Sequence, residues 1–154
     1  MTRTTKMINL AIEQAKLSTM SQQHGAILTK GSKIIARGYN HSRSHFMNIS
    51  GTCIHAEIAT LLEYCNNILH INVDLRRKYL KKIPKLNKCI LWVVRICTKE
   101  NNLTESKPCS ECISKLKKMG IKKIGYSNKL GDIIIDNITN INSTHLSNLQ
   151  IRTR

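Results

Sequence analysis

Thr52-Cys53-Ile54-His55-Ala56-Glu57-Ile58-Ala59, completed by Pro108-Cys109-Ser110-Glu111-Cys112, is the pair of stretches that decides how this chain is read. His55, Cys109 and Cys112 are side chains of the kind zinc binds. Three protein ligands leave a tetrahedral ion one open position, which marks a catalytic rather than a structural site. Water in that position is acidified toward neutrality, and Glu57 is placed to move its protons. Helix ends account for the spacing. Cys109 and Cys112 stand three apart and share a face of a first helical turn, with Pro108 in or just before that turn, where a helix tolerates proline. The positive end of a helix also favours thiolate, the form that binds metal. His55 and Glu57 are two apart and would diverge in mid-helix, so His55 is expected at a helix start, where both reach past its end. Two helix N-termini aimed at one ion follow.

Working outward, the helix from His55 carries Ile58, Leu61, Leu62 and Cys65 at i, i+3, i+4 and i+7, a stripe to be buried. Beyond the cysteines, Ile113, Leu116 and Met119 form a second stripe, closed by Gly120, with Lys115, Lys117 and Lys118 toward water. Residues 89–96 are apolar without alternation, which suits a strand covered on both faces. Residues 24–29 and 33–38 flank Lys30-Gly31-Ser32 and read as a hairpin, leaving through Tyr39-Asn40-His41. Residues 4–17 have the spacing of an amphipathic helix. Residues 42–50 read as a polar loop overhanging a site, and residues 68–82 as a further helix ended by Pro84. Residues 98–107 read as a loop delivering the chain to Pro108. Residues 121–127 and 132–138 are strands with only Asn128-Lys129-Leu130-Gly131 between them. Parallel neighbours need a dozen or more connecting residues, so these two form an antiparallel hairpin. The expected fold is α/β: a mixed five-stranded sheet, its last two strands a hairpin, with helices on both faces. Residues 139–154 form a polar tail.

At 154 residues the chain makes one domain with a real core. No apolar run approaches a membrane span, and the first six residues lack the apolar stretch of a secretory signal. Cys53, Cys65, Cys89 and Cys97 lie in apolar surroundings where reduced cysteine is common, so a reducing, cytoplasmic setting is expected. The net charge of +16 admits two readings. It suits a polyanionic partner, yet abundant Lys, Asn and Ile together are also what AT-rich coding produces. Phe46, Trp92 and four tyrosines are few rings for stacking single-stranded bases. The basic crowd at Arg76, Arg77, Lys78, Lys81, Lys82, Lys85 and Lys88 reads as a solvated helix face.

The pattern His55-Ala56-Glu57 followed about fifty residues later by Pro108-Cys109-Ser110-Glu111-Cys112 resembles the signature of zinc-dependent base deaminases. With the Gly25-Ala26 hairpin and the Gly38-Tyr39-Asn40 exit, it makes the chain similar to the cytidine deaminase-like superfamily over roughly residues 5–138. The resemblance implies a three-layer α/β/α fold, a zinc-dependent catalytic domain over residues 1–138, and one Zn²⁺ held by His55, Cys109 and Cys112. Glu57 would shuttle protons during hydrolytic loss of ammonia from an aminated base. The backbone near Ala56 and Pro108 would hold the base edge, and Asn40 would contact the nucleoside, although an asparagine there can equally cap a turn. A homo-oligomer is expected.

The chain departs from many relatives in carrying Lys107 rather than Glu before Pro108, and in its long 98–106 segment. The C-terminal hairpin is similar to the branch acting on free nucleosides. Members that act on tRNA, deoxycytidylate or single-stranded DNA generally place a helix between their last two strands. A free cytidine- or deoxycytidine-type nucleoside or nucleotide is therefore the first expectation for substrate, and a base within RNA or single-stranded DNA the second. A non-catalytic, zinc-stabilised nucleic-acid-binding module is a third reading, against which Glu57 argues, since a structural site needs no proton shuttle.

Overall fold

The computed structural model describes residues 1–42, 45–46, 49–50, 53–69 and 84–141. Helix α1 (Arg3–Ala15) starts where Thr2 Oγ1 accepts from the Thr5 backbone N–H at 3.1 Å. Strands β1 (Gln23–Lys30) and β2 (Lys33–Tyr39) form the expected hairpin. Two short strand pairs follow: β3 (His41–Ser42) with β6 (Cys53–Ile54), and β4 (His45–Phe46) with β5 (Ile49–Ser50). Then come helix α2 (Ala56–Glu63), which runs on through a π-helical turn at Tyr64–Ile68, and strands β7 (Cys89–Cys97) and β8 (Asn102–Thr104). Helix α3 (Ser110–Lys118), strands β9 (Lys123–Ser127) and β10 (Ile133–Asn137), and a 3₁₀ turn at Ile138–Asn140 complete the described chain.

The main sheet runs β10-β9-β7-β1-β2, with β7 and β9 parallel and every other pair antiparallel. This is the expected mixed sheet of five strands, closed by the β9–β10 hairpin. A sixth strand corrects the reading of residues 98–107 as loop: β8 pairs with the far end of β7, Arg95 opposite Thr104 and Cys97 opposite Asn102. The reversal is made by Asn101, which adopts φ 52° and donates its N–H to Cys97 O at 2.8 Å. Asparagine tolerates that left-handed backbone, and three polar-flanked residues carry too little alternation to announce a strand.

Both faces of β7 are covered, as its unbroken apolar run requires. Trp92, Val94 and Ile96 pack with Ile27 under Met7, Ile8, Ala11 and Ala15 of α1. Leu91 and Val93 pack with Ala26 and Leu28 under α2 and α3, among Leu61, Ile113 and Leu116. Two glycines let the helices lie this close. A Cβ on Gly25 would stand 2.1 Å from Ala11 O of α1, and one on Gly38 would stand 2.5 Å from Thr60 N of α2. α3 ends as expected: Gly120 N–H bonds Lys117 O and Ile121 N–H bonds Leu116 O, the double closure of a Schellman turn.

Of the helix expected over residues 68–82, only residues 68 and 69 are described, and the basic residues 76–82 and the tail from 142 onward lie outside the described residues. Leu62 is half-buried rather than buried. Among the described residues no helix is long and apolar enough to cross a membrane.

Candidate active site

The two helix starts converge as their spacing requires. His55 is the N-cap of α2 and Cys109 the N-cap of α3, both in extended backbone, and neither side chain caps its own helix. Both side chains are therefore free for a shared task. Cys112, three residues on, lies in the first turn. His55 Nδ1 stands 3.3 Å from Cys112 Sγ and 3.5 Å from Cys109 Sγ, and all three candidate ligand atoms lie within 4.8 Å of one another. Both sulfurs are buried while His55 is half-exposed. One nitrogen and two sulfurs at this separation fit a zinc ion.

The protonation states lean the same way. Cys109 is brought down to about 4, first by the Cys112 thiol that donates to it and also by His55, against the cost of burial. His55 rises to about 9, chiefly through its bond to Cys109. Cys112 is pushed well above its ordinary value by donating to Cys109 and by burial. Without metal, then, the trio holds a thiolate, an imidazolium and a thiol. Loading a cation displaces the protons of the last two.

Glu57 sits in the first turn of α2, only 4% exposed. Burial raises its carboxyl pKa, with His55 pulling the other way. A carboxyl held above its ordinary range is better suited to give a proton as well as to take one. Ala56 and Pro108 are buried beside the ligands in the chain. Asn40 is buried at the end of β2, where Oδ1 accepts from His24 N–H at 2.8 Å and Nδ2 donates to Gln22 O at 2.7 Å. Its remaining Nδ2 contact is Met20 Sδ at 3.5 Å. The structure thus brings His55, Cys109 and Cys112 together and sets Glu57 beside them, while tying the Asn40 amide to the start of β1.

Several supporting residues escaped the sequence reading. Ser106 Oγ donates to Val93 O at 2.9 Å and accepts from Ser127 N–H at 2.8 Å, while Ser106 N–H bonds Ser127 O at 2.9 Å. Ser127 Oγ in turn donates to Thr104 O at 2.6 Å. This buried clasp between the ends of β7 and β9 fixes the chain two residues before Pro108. Isolated serines in a polar segment gave no signal for it. His24 and Arg95 face each other across β1 and β7. Arg95 had a visible signal, as the one charge at the end of an apolar run.

Among curated protein sequences none matches. Among solved structures, a cytidine deaminase from Burkholderia pseudomallei is similar with TM-score 0.59 and 18% identity, over 91% of this chain and 95% of that one. The apo dCMP deaminase of the cyanophage S-TIM5 is similar with TM-score 0.51 and 21% identity, over 81% of this chain and 82% of that one. At such identities they establish the fold. Residues 1–128 match the profile of the cytidine and deoxycytidylate deaminase zinc-binding region, and with most of its length matched and a zinc-ligand trio assembled, the chain belongs to that family.

Proposed function

We propose that this zinc-dependent deaminase acts on a free cytidine- or deoxycytidine-type nucleoside or nucleotide, releasing ammonia by hydrolysis. The observation that carries the reading is Glu57: a buried carboxyl with a raised pKa, in the helical turn that begins at His55. Burying a carboxyl without paired partners is costly, and a structural metal site has no use for one.

His55, Cys109 and Cys112 would hold a zinc ion, which when bound would supply Lewis acidity toward water. Glu57 accepts a proton from the attacking water and passes it to the ring nitrogen beside the aminated carbon. It then carries the water's second proton to the amine, which leaves as ammonia. Backbone groups at Ala56 and Pro108 hold the base edge. Asn40 contacts the sugar with the N–H now spent on Met20 sulfur, a weak acceptor that a hydroxyl replaces at little cost.

The antiparallel β9–β10 hairpin supports a free nucleoside, while the fold shared with a dCMP deaminase solved with dCMP and dUMP supports a nucleotide. A base within RNA or single-stranded DNA is the second reading, and the net charge of +16 favours it. Ammonia release measured across cytidine, deoxycytidine, their monophosphates, adenosine, guanine and oligonucleotides decides between them. Turnover of a cytosine nucleoside or mononucleotide is expected, together with oligonucleotide binding that fades near physiological salt. Turnover confined to oligonucleotides would overturn the small-substrate reading.

A further inference from the structure

Arg95 occupies a costly place. Leu91 and Val93 of β7 pack into the core under α2 and α3, whereas Trp92, Val94 and Ile96 face α1. Strand alternation therefore puts Arg95 on the same face as the zinc ligands. Across the sheet it stands opposite His24 of β1 on one side and Thr104 of β8 on the other. His24 stands in turn beside Asn40, with which it exchanges two hydrogen bonds. A polar row, Asn40, His24, Arg95 and Thr104, thus crosses the sheet where the core of that face gives way to the site.

Within this row Arg95 is the only charge. Its Nε is fully enclosed and finds no hydrogen-bond partner, and no carboxylate pairs with its guanidinium among the described residues. Burial first, and then the nearby charge of Arg95, hold His24 neutral, with a pKa lowered to about 4, and His55 lies near enough to act on it as well. An enclosed, unpaired guanidinium donor costs free energy unless something accepts from it. The outer Nη pair of its planar fork, on a side chain that is only half-buried, suits phosphate oxygens, which it can bind through two parallel hydrogen bonds.

We infer that Arg95 is the anchor for the phosphate of a nucleoside monophosphate, so that the row Asn40–His24–Arg95 reads sugar and phosphate while the zinc trio and Glu57 work on the base. The inference rests on the deaminase reading for its substrate and selects the nucleotide over the nucleoside within it. Arg95 is a specificity residue here and takes no part in the proton transfers.

The test uses the full-length, zinc-loaded protein and two readouts. Calorimetric titration with dCMP and with deoxycytidine, and kcat/KM for the same pair, are measured for wild type, Arg95→Gln and Arg95→Lys. A charged hydrogen-bond pair typically carries a factor of about ten or more, so wild type should prefer dCMP by at least that much in both readouts. Arg95→Gln should erase the preference while keeping zinc content and leaving deoxycytidine unaffected. Arg95→Lys should restore it in part, as a point charge without the fork. Equal handling of the two ligands by wild type would overturn the assignment, as would an equal loss for both in Arg95→Gln. Arg95-dependent binding of dCMP without any ammonia release would uphold the phosphate anchor and sink the deaminase reading instead.

Discussion

The two faces of the sheet are built from the same strands by opposite rules. Under α1 the packing is apolar, and its polar contact is local: Trp92 Nε1 donates to Thr29 Oγ1 at 3.0 Å. Under α2 and α3 the core is equally dense in its middle, but its border holds buried Glu57 and Asn40 together with the metal-ligand trio. Buried polar groups cost free energy unless bonded. Their segregation to one face shows which side of the molecule the chemistry occupies. The α1 face keeps the sheet intact. The other face spends part of that stability on a site.

The sharpest way to break the contrast is to remove the metal ligands. The double variant Cys109→Ala, Cys112→Ala should lose its zinc entirely, all activity with it, and some thermal stability, because binding is coupled to folding. Full zinc content by elemental analysis would show the ligand set to be wrong. In the wild type, zinc affinity should rise with pH. The protons that His55, at about 9, and Cys112, well above its ordinary value, hold without metal must leave when it binds. A chelator-competition series from pH 6 to 8 should therefore show binding weakening toward acid, and a flat series would contradict the protonation states described.

Glu57→Ala separates chemistry from construction on the same face. It removes a proton carrier and no ligand, so zinc and fold should be retained while turnover falls by about 10²–10⁴. Its melting temperature should equal or exceed that of wild type, since a buried carboxyl is a burden on stability. Activity within a few-fold of wild type would rule out the proton-shuttle role.

The two close-packed glycines compare the faces most directly, because they are neighbours on paired strands. Gly25 touches α1 and Gly38 touches α2, each against backbone that cannot rotate away. Alanine at either should cost about 1–3 kcal/mol through overpacking. The consequences should differ. Gly25→Ala shifts a helix with no part in the site, so its folded fraction should keep zinc and kcat. Gly38→Ala presses on Thr60 in the helix that begins at His55 and carries Glu57, so zinc affinity and kcat should fall along with stability. Equal catalytic damage from both would erase the functional distinction between faces.

What the sequence disclosed about the two faces follows from how each is encoded. Apolar periodicity located α1, α2 and α3, and the four-residue connection at Asn128–Gly131 forced β9 and β10 antiparallel. The ligand trio was legible because metal chemistry demands particular residues at particular spacings. β8 was not, since its pairing depends on the left-handed turn at Asn101 rather than on any pattern of its own. The Ser106–Ser127 clasp escaped for a related reason: its two serines are 21 residues apart and meet only because β7 and β9 are neighbours. The Asn40 amide was expected at the substrate, and its bonds to His24 and Gln22 were invisible without the register of β1.

The smallest expected effect concerns His24, the polar residue that opens β1 on the site face. Its pKa is lowered from the ordinary 6.5 to about 4, first by burial and then by the charge of Arg95. Above pH 6.5 the imidazole is neutral in both folded and unfolded chains and contributes nothing to the pH dependence. Between 6.5 and about 4 the unfolded chain takes up a proton that the folded chain refuses, so stability must fall as pH falls through that window. Urea-unfolding midpoints of wild type and His24→Gln, taken at half-unit steps from pH 7 to 4, should diverge there, with wild type losing stability faster. Taking the difference between the two proteins removes the contribution of Glu57, whose raised pKa works in the opposite direction. In an Arg95→Gln background the divergence should shrink, because one of the causes holding the imidazole neutral is gone. Parallel curves in all backgrounds would mean that His24 titrates normally, and that this end of the sheet is wetter than its packing describes.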